Sequence, residues 1–141
     1  MTIQTKHERE KTKVILDSNV FFVSLQFKLD IFEELKKLLA KNYEAILLSP
    51  VRQELEKLAK KGTPNMRKKA LYALKLSEKC TYVQLDENSA ITPDDAILKV
   101  AQKWKSPVFT NDRNLRKRLR NINVPVIYVR QKSRLEIDGR I

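Results

Sequence analysis

The chain has 141 residues, of which 42% are hydrophobic and 33% charged, a composition typical of one globular domain with an ionic surface. A single cysteine, Cys80, excludes an internal disulfide and a cysteine-based zinc site, and the single His7 lies in a polar N-terminal stretch that is poorly suited to a serine–histidine triad. The net charge of +12 favours a polyphosphate such as nucleic acid as the partner. A Lys-rich thermophilic surface is the alternative, but it would carry acids and bases in near balance.

The predicted elements alternate between short apolar strands and amphipathic helices. The expected strands are residues 13–16, 45–48, 81–85, 107–110 and 125–129. Helices are expected from Asp30, from Ser49 as an N-cap, over 66–79, from Thr92 and after Asp112. No apolar run approaches the roughly 18 residues that span a bilayer, and the first twelve residues do not resemble a secretory signal. We therefore expect a cytoplasmic protein without membrane contact, built on a parallel sheet covered by helices on both faces.

Acidic side chains lie in four connections of this pattern. Asp17 follows the first strand, Glu54 lies in the helix after the second, Asp94 and Asp95 open the helix before the fourth, and Asp112 follows the fourth. Each has a structural explanation of its own: a turn, a solvated helix position, a capping box and an N-cap, respectively. Four separate structural explanations do not account for the acids lying together near the carboxyl ends of the strands. Parallel sheets bind their ligands at that edge.

Converging carboxylates raise one another's pKa unless a cation lies between them. Oxygen ligands without cysteine or histidine suit Mg²⁺ or Mn²⁺, which can activate water for attack on a phosphodiester. The pattern therefore favours metal-assisted phosphodiester hydrolysis.

Four stretches, in the same order along the chain, resemble the motifs of the PIN-domain family, which includes the virulence-associated protein C toxins and ribosome-assembly endonucleases. They are Leu-Asp-Ser-Asn at 16–19, Ser-Pro-Val-Arg-Gln-Glu-Leu at 49–55, Asp-Ala-Ile-Leu-Lys-Val-Ala at 95–101, and Thr-Asn-Asp-Arg-Asn-Leu at 110–115 with Pro-Val-Ile at 125–127. The resemblance implies a three-layer α/β/α sandwich with a mainly parallel five-stranded sheet. It covers a nuclease domain over residues 13–130, between a polar tail (1–12) and a basic tail (131–141).

The resemblance also implies roles for individual residues. The catalytic, metal-binding acids would be Asp17, Glu54, Asp95 and Asp112, with Asn19, Thr110 and Asp94 in support. Asp95 is preferred to Asp94 because it directly precedes the apolar Ala-Ile-Leu run. Many toxin relatives carry a second Asp where this chain has Asn114, a departure that would weaken a second metal site.

The predicted RNA contacts are basic side chains of the last helix, which display no acid between them. They are Arg113, Arg116, Lys117, Arg118 and Arg120. The expected function is a metal-dependent endoribonuclease in ribosomal RNA processing or of the toxin type; the alternative is a catalytically silent RNA-binding scaffold. A receiver-like domain would need adjacent acids after the first strand, which are missing.

The expected partners are RNA and an antitoxin or a ribosome-assembly protein. Relatives also form homodimers, for which the apolar face formed by Phe21, Phe22 and Phe27 is one candidate surface; the same side chains suit the core.

Overall fold

Six strands form one sheet in the computed structural model, which describes residues 11–40, 42–86 and 91–141. Residue His7 and most of the predicted polar tail lie outside the described residues. The strands are β1 (Thr12–Leu16), β2 (Tyr43–Leu48), β3 (Thr81–Val83), β4 (Val108–Phe109), β5 (Val126–Arg130) and β6 (Arg134–Asp138).

Six helices connect these strands within the described ranges. They are α1 (Asn19–Phe27), α2 (Ile31–Leu39), α3 (Ser49–Lys61), α4 (Pro64–Ser77), α5 (Pro93–Trp104) and α6 (Arg113–Asn121). The three-layer α/β/α sandwich with a mainly parallel sheet is confirmed. None of the helices that the structure describes is long and apolar enough to cross a membrane.

The strand order β3-β2-β1-β4-β5-β6 places the point where the order reverses between β1 and β4. Both strands run parallel, with Leu16 opposite Phe109. The Asp17 N–H continues this pairing by donating to the Phe109 carbonyl at 3.0 Å. The chain therefore leaves β1 and β4 side by side, at the position where parallel sheets bind their ligands.

The expectation of five strands is wrong by one, because β6 lies within the predicted C-terminal tail. Gln131 and Lys132 adopt positive φ angles of 54° and 62° and turn the chain back, so that β6 pairs antiparallel with β5. Leu135 is buried against the core, whereas the neighbouring positions carry charged side chains. This half-buried edge strand lacks the continuous apolar run by which the other strands were predicted.

The core centres on β1 and β2, whose inner residues are almost fully buried. Phe21 of α1 has no exposed surface and Phe22 packs partly buried against the same core. Of the two alternatives for this aromatic group, a dimer surface or the core, Phe21 therefore belongs to the core. Cys80 is also packed against the core, and burial raises the pKa of its thiol to about 12, as suits a structural residue.

Ser49 does not act as the predicted N-cap. Helix α3 begins at Ser49 itself, and its hydroxyl oxygen accepts a 3.0 Å hydrogen bond from the Leu85 N–H. Leu85 lies just beyond β3, where the strand no longer supplies a partner for this amide. The serine therefore ties the chain after β3 to the start of α3.

Candidate active site

Asp17 is a buried carboxylate at the carboxyl end of β1, with 4% of its surface exposed. Its Oδ1 accepts a 2.8 Å hydrogen bond from the Ser18 N–H, and its Oδ2 accepts a 2.7 Å bond from the Thr110 hydroxyl. These two bonds fix the orientation of the carboxylate, which lies at the switch point of the sheet.

Thr110 is the hub that joins this carboxylate to the loop after β4. Its hydroxyl donates to Asp17, and its oxygen accepts from the Asp112 N–H at 3.0 Å and from Asn19 Nδ2 at 3.4 Å. A hydroxyl offers one donor and two acceptor positions, so Thr110 uses its full capacity. The side chain is completely buried, which leaves it no competing water.

Two asparagines hold the surrounding loops. Asn19 Oδ1 accepts the Asn111 N–H at 3.2 Å, and Asn111 Oδ1 accepts the Val129 N–H of β5 at 2.8 Å. The segments after β1 and β4 are therefore connected to each other and to β5 by side chains as well as by the sheet. This framework limits how far the acids at these strand ends can move apart.

Asp112 caps helix α6, as its structural explanation predicted. Its Oδ1 accepts from the Asn114 and Leu115 N–H groups at 2.8 and 3.1 Å. Oδ2 makes no hydrogen bond within the ranges that the structure describes. Capping thus occupies one oxygen of Asp112 and leaves the other for a ligand.

The structure does not support the preference for Asp95 over Asp94. The Asp95 side chain is 52% exposed, and its Oδ1 accepts a 2.8 Å charged hydrogen bond from Arg118 Nη2, which lowers the pKa of this carboxyl. Burial raises the pKa of Asp94, and the negative charge of Asp112 raises it further. Asp94 therefore lies within electrostatic reach of Asp112 and of Asp17. Successive helix positions point about 100° apart, so the two neighbouring carboxylates meet different surroundings.

Glu54 of α3 lies close enough to Asp17 for its charge to act on that carboxyl. Desolvation raises the pKa of Asp17 to about 6 against the hydrogen bonds of Thr110 and Ser18, and the charges of Asp94 and Glu54 add to the increase. The negative charges of two other acids therefore both act on the Asp17 carboxylate. Of the predicted acids, Asp17, Glu54 and Asp112 face this region, together with Asp94.

The chemistry of these donors suits a hard divalent cation. They are carboxylate oxygens with no cysteine or histidine beside them in the described part of the chain, and their mutual repulsion is of the kind that a bound cation relieves. No three acidic, histidine or cysteine side chains within 11–40, 42–86 and 91–141 are yet grouped closely enough to hold a metal ion. In their oxygen ligands and in their negative charge, the acids suit Mg²⁺ or Mn²⁺.

Comparison with known proteins agrees with this arrangement. Residues 14–132 match the family described as "PIN like domain". The chain belongs to the PIN-domain family. It is 32% identical over 130 residues to Ribonuclease VapC4 of Methanocaldococcus jannaschii, across 92% of this chain and 98% of that protein. It is 24% identical over 124 residues to Ribonuclease VapC9 of Archaeoglobus fulgidus, across 88% and 87% of the two chains.

Solved structures show the same PIN fold. The PIN domain endonuclease Utp24 matches with a TM-score of 0.78 and 28% identity over 92% of each chain. VapBC2 from Rickettsia felis, bound to a DNA fragment from its promoter, matches with a TM-score of 0.62 and 16% identity, over 84% of this chain and 99% of that chain. The second similarity concerns the fold alone.

The basic side chains of α6 in this PIN domain divide into two groups. Arg116 and Arg120 pair with Asp138 of β6 at 3.1 and 3.3 Å, and Arg118 pairs with Asp95. Arg113 and Lys117 are exposed and form no ion pair within the described part of the chain. Acids from α5 and β6 thus reach three of the five bases that the sequence predicted to contact RNA.

A cleft of about 420 Å³ adjoins the acids on the side of β5. Thr110 and Asn111 line it together with Arg113, Arg116 and Arg130. Arg116 and Arg130 are paired with Asp138 and Glu136 of β6, whereas Arg113 forms no ion pair in the described ranges. The Arg116 guanidinium lies 3.9 Å from the centroid of the Tyr128 ring. The PIN domain thus places a positive cleft directly beside its negative site.

Sequence reasoning missed two residues of this region, Asn111 and Asp138. Asn111 could have been found, because it lies between Thr110 and Asp112 at a strand end where polar side chains meet. Asp138 carried no such indication, since its partners on α6 are about 20 positions away in sequence and its strand was not predicted.

Proposed function

We propose that this PIN domain is a divalent-metal-dependent endoribonuclease that hydrolyses RNA with the acids Asp17, Glu54, Asp94 and Asp112. The supporting observation is the buried Asp17, whose pKa the charges of Asp94 and Glu54 help to raise at the switch point of the sheet. The two ribonuclease-named relatives, which align over almost the whole chain, support RNA as the substrate. Asp95 is given a structural role because of its ion pair with Arg118.

Mg²⁺ or Mn²⁺, when bound, lowers the pKa of a water molecule and stabilises the charge that develops on the phosphate. The residues that would hold it are Asp17, Asp94, Asp112 through its uncapped oxygen, and Glu54. Thr110 orients Asp17 and anchors the Asp112 backbone, so the two strand-end acids keep a fixed relation. No histidine base is needed in this arrangement, and none follows residue 7 of the sequence.

The RNA backbone would lie in the positive cleft between α6 and β5. Arg113 has no internal partner in the described ranges and can bind a phosphate with two parallel hydrogen bonds. Lys117 is exposed one turn further along α6. Affinity should come mainly from phosphate contacts and so depend on salt.

Two biological roles are consistent with this activity, that of a toxin and that of an RNA-processing enzyme. A toxin would arrest growth on expression and would be silenced by an antitoxin, whereas a processing enzyme would leave growth intact and act on a defined precursor of ribosomal RNA. Expression of the parent beside an Asp17→Asn variant separates the roles: growth arrest by the parent alone indicates a toxin.

The test of the activity compares Asp17→Asn and Asp112→Asn with the parent. Both substitutions remove one charge and keep the shape, and Asn at 112 retains the cap, because it caps nearly as well as Asp. We expect folded variants that bind RNA with parent-like affinity and cleave it more slowly by orders of magnitude. Parent-like cleavage by both variants would end the nuclease proposal.

The second candidate is an RNA-binding scaffold without catalysis. It is favoured by one observation: no three acids in the described residues are grouped closely enough to hold a metal as they stand. Calorimetric titration with Mn²⁺ distinguishes the two functions. The nuclease predicts binding that Asp17→Asn abolishes, and the scaffold predicts no binding to the parent.

A further inference from the structure

A second positive cleft, of about 810 Å³, lies at the edge of the sheet opposite the acids. Its lining includes Thr12, the first residue of β1, and Pro107 and Pro125, which directly precede β4 and β5. The acids follow the carboxyl ends of the same strands. Since a strand rises about 3.3 Å per residue, the length of β1 separates the two sites by roughly 15–20 Å.

Four cations line this cleft: Lys11, Lys13, Lys105 and Arg140. No acidic side chain is among its lining residues in the described ranges, and none of the four cations belongs to an ion pair there. This differs from α6, where acids neutralise three of five bases. The four cations outweigh the one terminal carboxylate of Ile141 among the lining residues, so the cleft carries a net positive charge, which attracts a polyanion.

An aromatic ring lies among these cations. Trp104, at the end of α5, is half-buried and lines the cleft, with the ammonium of Lys13 4.7 Å from its ring centroid. The amide side chains of Gln102 and Asn123 border the same space. Aromatic faces beside cations are the means by which proteins hold single-stranded nucleic acid, because each base can stack on the ring while its phosphate meets a cation.

We propose that this cleft is a second RNA-binding site, which holds a single-stranded segment with a base against Trp104 and its phosphates on the surrounding cations. The proposal rests on the proposed function only in taking RNA as the ligand; it adds a contact remote from the cleavage site. A base that stacks on the ring displaces the Lys13 ammonium, which is then free to pair with the adjacent phosphate. An acidic protein segment would satisfy the cations but would gain nothing comparable from the ring.

The experiment uses Trp104 as its own probe, because it is the only tryptophan of the chain. Intrinsic fluorescence is recorded while a short oligouridylate is added in the presence of chelator, so that no cleavage occurs. Binding is measured in parallel from the anisotropy of labelled RNA. We expect saturable quenching of Trp104, with a midpoint equal to one of the binding transitions.

Matched variants locate the site of binding. Lys13→Gln with Arg140→Gln removes two cleft cations, and Lys68→Gln with Lys69→Gln removes two exposed cations of α4, so the net charge is the same. The cleft variant should lose most of the quenching at a given RNA concentration. The salt slope of the transition reported by Trp104 should flatten by about 0.7 for each phosphate that the variant no longer neutralises. The α4 variant should behave as the parent.

RNA binding without a change in Trp104 fluorescence would overturn the proposal. So would an equal loss of RNA binding in the cleft variant and the α4 variant. A third contrary result is stronger quenching by polyglutamate than by RNA of equal charge. The last would assign the cleft to an acidic protein partner. Cleavage is measured separately with Mg²⁺. A chain that quenches on RNA but does not cleave would refute the proposed nuclease and leave the second site intact.

Discussion

The Thr110 hydroxyl donates a 2.7 Å hydrogen bond to Oδ2 of Asp17 and so connects the ends of β4 and β1, the two strands between which the strand order reverses. The bond runs between two buried side chains that are 93 positions apart in sequence. It holds the most deeply buried acid of the site in one orientation and opposes the increase in its pKa.

Removal of this hydroxyl should therefore affect both stability and activity. Thr110→Val keeps the shape but leaves the Asp17 oxygen and the Asp112 N–H without their partner, at a cost of about 1–3 kcal/mol in the free energy of unfolding. The pKa of Asp17 should rise further, and the pH–activity profile should move to higher pH. Thr110→Ser, which retains the hydroxyl, is the control and should keep the parent profile. A profile that moves equally in both variants would show that the hydroxyl does not set the Asp17 pKa.

The two neighbouring acids of α5 should differ sharply in function. Asp94→Asn removes a charge that faces Asp17 and Asp112, and we expect cleavage to fall by orders of magnitude. Asp95→Asn breaks only an exposed ion pair with Arg118, of a kind that contributes little to stability. Its cleavage rate should stay near that of the parent. The reverse ranking of the two variants would restore Asp95 as the site residue.

Stability in chelator should depend on pH through Asp17. Its pKa is raised to about 6 from 3.8, so between these values the folded chain binds more protons than the unfolded chain. The contribution of Asp17 to stability therefore falls as the pH rises through this window, by about 3 kcal/mol at neutral pH. Denaturation of the parent and of Asp17→Asn at pH 5 and pH 7.5 isolates the effect. Asp17→Asn should gain relative to the parent at the higher pH. An equal difference at both pH values would contradict the raised pKa.

The exposed bases of α6 should account for part of the RNA affinity. Arg113→Gln with Lys117→Gln should weaken binding across RNA sequences and flatten the salt slope by about 0.7 for each phosphate left without its cation. Lys36→Gln with Lys37→Gln, two exposed positions of α2, is the matched control for net charge. Unchanged affinity in the α6 variant, or equal weakening in the control, would place the RNA on another surface.

The sheet could be predicted from the sequence because its inner strands are continuous apolar runs, and their order along the chain placed Asp17 and Asp112 at one edge. The choice between Asp94 and Asp95 could not be predicted from the sequence. It depends on where α6 packs and hence on which of the two carboxylates Arg118 reaches. Strand β6 was missed for a related reason. Its charged residues alternate with Leu135 and Ile137, and a half-buried edge strand of this kind resembles a basic tail in sequence.

The products of cleavage show whether water attacks the phosphodiester with the help of a divalent metal. End-labelled single-stranded RNA is incubated with the parent protein and Mn²⁺ or Mg²⁺, with and without chelator, and the termini are identified. Attack by water predicts internal cleavage that the chelator abolishes, with 5′-phosphate and 3′-hydroxyl ends. Activity that persists in chelator, or products with 2′,3′-cyclic phosphate ends, would contradict metal-dependent hydrolysis by water.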